Sequence, residues 1–279
     1  MCNSISNPNI NGKVLALQGP PGNGKTTLIK QGVSKALNKY FGFIGLGGSQ
    51  DSSFLEGFDY TYEGSKCGKI LDIIRFSQTM DPIIYFDELD KISSTAKGDE
   101  IVHLLCHLTD PSQNNTFYDR YLNEIPIDLS KVTFIFSFND EELINPILKD
   151  RLNIIRTKGY KTKDKITIAV KHIIPELFQN LCINKDDLII DNTALTYIIE
   201  NYTNKEEGVR QLKRCIESIC SKFNIYKINM SDSDKSDVDS LIDYEIKNFK
   251  VPLKIDNIIC DILLNKKDSS NTSINHIYL

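Results

Sequence analysis

Residues 19–27 read GPPGNGKTT. Gly19, Gly24, Lys25 and Thr26 satisfy the spacing G-x-x-x-x-G-K-[ST], in which glycines let consecutive backbone N–H groups converge on phosphate oxygens. A helix opening directly after such a loop adds its positive N-terminus to the same charge. Lys25 then reaches the β- and γ-phosphates, and Thr26 holds Mg²⁺. The stretch Gly19, Pro20, Pro21, Gly22, Asn23, Gly24, Lys25, Thr26 and Thr27 is the candidate nucleotide cradle, with ATP and Mg²⁺ as the expected cofactors. Two acids, Asp87 and Glu88, close the apolar run IIYF. An Asp there holds Mg²⁺ through water, and the Glu beside it orients and polarises an attacking water. The presence of both favours hydrolysis over binding alone. Asn139 closes another apolar run, and its amide is placed to position that water.

These residues need a scaffold that gathers strand ends. VLALQ (14–18), PIIYFDE (82–88) and VTFIFSFN (132–139) are near-continuous apolar segments that end in polar residues. Strands apolar on both faces belong to a parallel sheet covered by helices, and chemistry collects at their carboxyl ends. The stretch after the loop places Leu28, Ile29, Val33, Ala36 and Leu37 on one helical face. The predicted class is therefore α/β, a P-loop large domain at 13–158 with a parallel sheet flanked by helices, preceded by a terminal segment at 1–12. Residues 159–228 carry helical periodicity and no convincing strand. Thr162 and the pair Asp191-Asn192 read as helix starts, and Val209, Leu212, Ile216, Ile219 and Phe223 form one stripe. This predicts a small all-helical lid domain. Residues 229–279 read as an acidic linker and a short C-terminal segment, with one last helix started by Asp256-Asn257.

The chain has 279 residues, a net charge of −4, 41% hydrophobic and 25% charged residues, as expected of a globular protein. No basic stripe is present, so nucleic acid is not an expected partner. No apolar run is long enough to span a bilayer, and the N-terminus lacks a signal-peptide pattern. The expected location is intracellular and soluble, most simply the cytoplasm. Seven scattered cysteines without a CxxC pair read as reduced, mostly core thiols. His103 and His107 have metal-compatible helical spacing but no obvious third ligand, and read as packing residues. Ser93 and Ser94 read as loop residues, and the acidic stretch 232–243 as solvated.

Taken in order, these stretches resemble the AAA+ module of the Lon protease family. After the phosphate loop, GLGGSQDSSFLEGFDYTYEGS (45–65) is similar to the family's GG…D…G…TY.G segment. DELDKI (87–92), LTDPSQNNTFYDRYLNEIPIDLSKVTFIFSFN (108–139), LKDRLNII (148–155) and GVRQLKRCI (208–216) follow in the family's order. The resemblance covers about residues 13–225. It implies a ring, usually of six subunits, with ATP at each subunit boundary and polypeptides as substrates. It implies that Arg151 acts as an arginine finger in trans and that Arg210 is the lid arginine that senses the γ-phosphate. It also implies that Tyr62 is the pore-loop aromatic that grips a threaded chain. Here the sequence departs from the pattern. Glu63 stands where the family has an apolar residue, and Lys66-Cys67 replace its Met-Pro, which weakens an apolar grip.

The family's substrate-recognising region and its serine–lysine peptidase domain have no counterpart in these 279 residues. The reading is a Lon-like ATPase that unfolds or remodels proteins as a homo-hexamer, or acts as motor for a separate peptidase, and that does not itself cut peptides. The alternative is a nucleotide-binding relic or regulatory module that co-assembles with a full-length relative without turnover of its own. A clamp-loader-like ATPase acting on DNA is opposed by the charge balance.

Overall fold

The computed structural model describes residues 12–48, 51–61, 63–231, 246 and 249–264. The chain divides into two compact units, Met1–Gly159 and Tyr160–Leu279.

The first unit is built on strands β1 (Val14–Gln18), β2 (Phe41–Gly45), β3 (Ile83–Asp87), β4 (Phe117–Tyr118), β5 (Pro126–Ile127), β6 (Thr133–Phe138) and β7 (Asn153–Arg156). Five of them form a sheet in the order β2-β3-β6-β1-β7, every pair parallel. The short strands β4 and β5 pair antiparallel on their own. The period of two divides the side chains between two cores. Ala16, Ile44, Ile84, Phe86, Phe134 and Phe136 face a core that also contains Ile70, Ile73, Leu105 and Leu108 from the helices Lys69–Ser77 and Ala96–Thr109. Leu17, Ile83, Tyr85 and Ile135 face the other, with Ile29, Val33 and Leu37 from the helical stretch after the phosphate loop. Phe86 and Phe136 stack at 5.0 Å with 9° between ring planes, a contact worth about 0.5–1.5 kcal/mol beyond burial.

The three apolar runs are strands β1, β3 and β6, as their composition predicts. The edge strands β2 and β7 lack that signature. FGFIG alternates buried and exposed positions, and NIIR has no fully buried residue. Edge positions have one covered flank and need no continuous apolar run.

The second unit is helical, with Thr162–Ile168, Ile174–Asn180, Asn192–Tyr202, Arg210–Ser231 and Asn257–Leu264. Leu212, Ile216, Ile219 and Phe223 are fully buried and pack with Leu195, Ile198 and Cys260. Asp191 caps Asn192–Tyr202 by accepting from the Ala194 N–H at 3.0 Å, and Asp256 accepts from Ile259 N–H at 2.8 Å. The helix predicted to be capped by Thr162 has Lys161 at its N-cap position, whose N–H donates to Asp164 at 3.1 Å. One parallel ladder joins β8 (Leu188–Ile189) to β9 (Leu253–Lys254). Hydroxyls of Tyr197 and Tyr202 both donate to Asp261, tying the last helix to Asn192–Tyr202. Burial pushes the Cys220 and Cys260 thiols up to about 12, which keeps them protonated and unreactive. Among the described residues, no helix is long and apolar enough to cross a membrane.

Candidate functional site: a phosphate loop at three strand ends

The order β3-β6-β1 sets the carboxyl ends of three adjacent strands side by side, with Asp87-Glu88, Asn139 and the phosphate loop following them. Gly22 (φ 75°) and Gly24 (φ 83°) hold the left-handed backbone that turns the loop into its helix. No side chain caps the helix that begins at Lys25, so its first-turn N–H groups are not occupied by a side-chain cap. Gly19 is required for a different reason. A Cβ there would stand 2.1 Å from Thr157 Oγ1 and 2.7 Å from Asn23 Nδ2. Thr157, just beyond β7, donates from its hydroxyl to Gln18 O at 2.8 Å and accepts from Asn23 Nδ2 at 2.7 Å. It ties the strand end that enters the loop to Asn23 in the middle of the loop.

Lys25 Nζ donates to Gly19 O at 2.6 Å, to Pro20 O at 3.0 Å and to Asn139 Oδ1 at 3.0 Å. Burial lowers its pKa, while the nearby Asp87 and Asp90 carboxylates work in the opposite direction. Asn139 is fixed on its backbone side. Its carbonyl accepts from Gln18 Nε2 at 3.0 Å, and its N–H donates to Asp90 Oδ2 at 3.2 Å. Asp140 N–H shares that oxygen at 3.1 Å, and Asp90 Oδ1 is buried with no hydrogen-bond partner among the described residues.

Asp87 Oδ1 accepts from the Ser137 hydroxyl and from Glu88 N–H, the latter at 3.1 Å. Glu88 lies in the left-handed region at φ 61° and is exposed. Its carboxylate rests over Gly47, where a Cβ would come within 1.9 Å of Oε2. The Thr26 hydroxyl is 3.2 Å from the Tyr85 hydroxyl. Thr157, Asp90, Gly47 and Tyr85 are thus members of the arrangement that sequence reading did not single out. The GG pair after β2 and the second acid of DELD were the available signals for two of them.

Arg151 stands apart from this cluster, at the end of the helix Pro146–Asp150. Its guanidinium donates to Asp110 Oδ2 at 2.8 Å and to Cys106 O at 3.3 Å. The Ser112 hydroxyl, followed by this guanidinium, holds Asp110 well below the usual carboxylate range. Arg210 is exposed on the second unit and opens the helix Arg210–Ser231, whose first turn is capped by Glu206 accepting from Gln211 N–H at 2.7 Å. Tyr62, the predicted gripping residue, lies outside the described residues. His103 and His107 both fall on the helix Ala96–Thr109, and no group of three His, Cys, Asp or Glu side chains among the described residues is placed to hold a metal.

A phosphate loop flanked by the acid pair of β3 and the asparagine of β6 is matched by a family described as "ATPase family associated with various cellular activities (AAA)", over residues 15–160. The chain belongs to the AAA family. Residues 179–236 of this AAA chain match the "Lon protease AAA+ ATPase lid domain", so its helical unit is of the Lon type. Among similar proteins, a "Lon protease homolog" of Acanthamoeba polyphaga mimivirus is 43% identical over 81% of this chain and 22% of its own length. "Lon protease homolog 2, peroxisomal" of Caenorhabditis briggsae is 37% identical over 82% of this chain and 29% of its own. "Lon protease" of Clostridioides difficile is 39% identical over 76% and 27%. The chain therefore spans between about a fifth and a third of the length of these relatives.

The loop fits a nucleotide with Mg²⁺. It offers left-handed glycines, an uncapped helix start, a half-buried ammonium, a threonine hydroxyl and an acid, all at adjacent strand ends.

Proposed function

We propose that this chain binds and hydrolyses Mg-ATP as one subunit of a ring, by the family resemblance a hexamer, and uses the cycle to unfold or remodel polypeptides. The observation that carries the reading is the direct contact of Lys25 with Asn139, near the carboxylates of Asp87 and Asp90. It ties the phosphate-binding cation to the residue that closes the neighbouring strand.

In this reading the loop amides and Lys25 bind the phosphates, and Thr26 and Asp87 hold the metal. Mg²⁺, when bound, neutralises charge on the phosphate oxygens. Glu88 orients the attacking water and accepts its proton at the carboxylate, and the Asn139 amide fixes the direction of attack. Arg151 acts in the site of a neighbouring subunit, Arg210 reports the phosphate state to the lid, and Tyr62 grips the substrate. We assign no step of peptide hydrolysis to this chain. The setting is intracellular.

Removing the ammonium tests the reading. Lys25→Ala should weaken binding of a fluorescent ATP analogue about 10- to 100-fold, the value of hydrogen bonds from a charged donor. Binding unchanged from wild type would remove the phosphate loop from the account. Gly47→Ala tests the placement of Glu88. The new methyl meets only the end of a flexible side chain, so the melting temperature should hold. The displaced carboxylate should lower ATP turnover on the order of 10- to 100-fold. Unaltered turnover would show that Glu88 does not work from that position.

A further inference from the structure

The ladder between β3 and β6 stops before the site begins. Its last pair is Phe86–Phe136, whereas Asp87, Glu88 and Asn139 all lie beyond that pair. On its other flank β6 stays paired with β1 as far as Phe138, opposite Gln18, and Gln18 Nε2 donates to Asn139 O at 3.0 Å. On the β3 flank a side chain takes over from the ladder. Asp90 Oδ2 accepts from the N–H of Asn139 at 3.2 Å and from the N–H of Asp140 at 3.1 Å. Asp90 is buried on the short turn Leu89–Lys91. That turn is fixed to the acid pair, because Lys91 N–H donates to Glu88 O at 3.0 Å, and to the core, where Leu89 is buried.

Burying a carboxylate is costly unless hydrogen bonds offset it. Two neutral N–H donors on one oxygen do so only in part, and the other oxygen has no hydrogen-bond partner among the described residues. An apolar side chain would serve packing alone better. We propose that Asp90 is a positioning residue for ATP turnover, holding the backbone of Asn139 so that its amide stays in register with the acid pair of β3. Asp90 acts through Asn139, whose Oδ1 accepts from Lys25 at 3.0 Å. Release of this clamp moves the amide relative to both the phosphate-binding cation and the attacking water. This rests on the reading of the site as one that hydrolyses Mg-ATP, and adds to it the group that sets the asparagine.

The test is steady-state ATP hydrolysis by the full chain, with binding of a fluorescent ATP analogue and the melting temperature measured on the same proteins. Asp90→Leu keeps the branched shape and removes the acceptor. Its kcat should fall about 10- to 100-fold, the scale of a misplaced catalytic group. Binding of the analogue should not weaken, because no positive charge is lost near the phosphates. Asp90→Ala removes the same acceptor without the apolar bulk, and answers the question if Asp90→Leu does not fold. Asp90→Asn keeps an oxygen that accepts both N–H groups, and should recover most of the loss. In an Asn139→Ala background, Asp90→Leu or Asp90→Ala should add little further loss, because both changes act on one group. Wild-type kcat without the acceptor, losses that multiply in the double variant, or Asp90→Asn as impaired as Asp90→Leu would overturn the clamp. Wild-type protein without turnover, or Asn139→Ala with full turnover, would instead overturn the reading of the site, and the clamp with it.

Discussion

Glu88→Gln should abolish nearly all turnover while leaving nucleotide binding intact. The substitution keeps the length and shape of the side chain, and Gln tolerates the left-handed backbone at φ 61° as Glu does. Only the capacity to take a proton is lost. General-base catalysis contributes about 10²- to 10⁴-fold, and turnover should fall by that range. The N–H of residue 88 continues to donate to Asp87 Oδ1, so the acid proposed to hold the metal keeps its partner. The measurement is steady-state phosphate release alongside binding of a fluorescent ATP analogue. Turnover equal to that of an active wild type would remove Glu88 from the chemistry, and no turnover in either protein would leave the chain a nucleotide-binding module.

Arg151→Ala should have a comparable or larger effect, by a different route. An arginine finger is worth about 10³- to 10⁵-fold in phosphoryl transfer. Within its own subunit Arg151 pairs with Asp110, with side chains 35% and 19% exposed. Partly exposed pairs contribute little to stability, so Arg151→Ala should fold and bind ATP normally. The geometry offers a sharper test than a single variant. Arg151→Ala retains its phosphate loop and Glu88, whereas Glu88→Gln retains its arginine. If Arg151 works across a boundary, mixing the two inactive proteins should restore part of the turnover. Activity that never returns on mixing, under conditions where wild-type subunits exchange, would place Arg151 outside the catalytic arrangement.

How much of this was visible in the order of residues follows from how local each feature is. The phosphate loop is nine consecutive residues, and its glycines occupy the positions their backbone angles demand. The acid pair and Asn139 were legible because each closes a buried strand, and the order β3-β6-β1 makes those ends neighbours. The lid stripe was legible because period 3.6 marks a helix face. Features that depend on register were not. Thr157 meets Asn23 across 134 residues, and Gly47 meets Glu88 only because β2 and β3 are paired. Asp150 is the acid next to Arg151 in the chain, yet the guanidinium leaves the helix end toward Asp110. The β8–β9 ladder has two residues per strand, far apart in the chain, and leaves no periodic trace. Tyr85 reads as one more apolar position of a strand. Its hydroxyl meets Thr26, 59 residues away in the chain, and no local pattern marks that contact.

ATP turnover should require assembly of this chain with copies of itself. The most direct measurement is ATP hydrolysis per protomer as protein concentration rises, with oligomeric state followed in the same samples. Turnover per protomer should rise steeply to a plateau that coincides with ring formation, and Arg151→Ala should show no such rise. Turnover per protomer that is independent of concentration, or near zero throughout while ATP is bound, would contradict it.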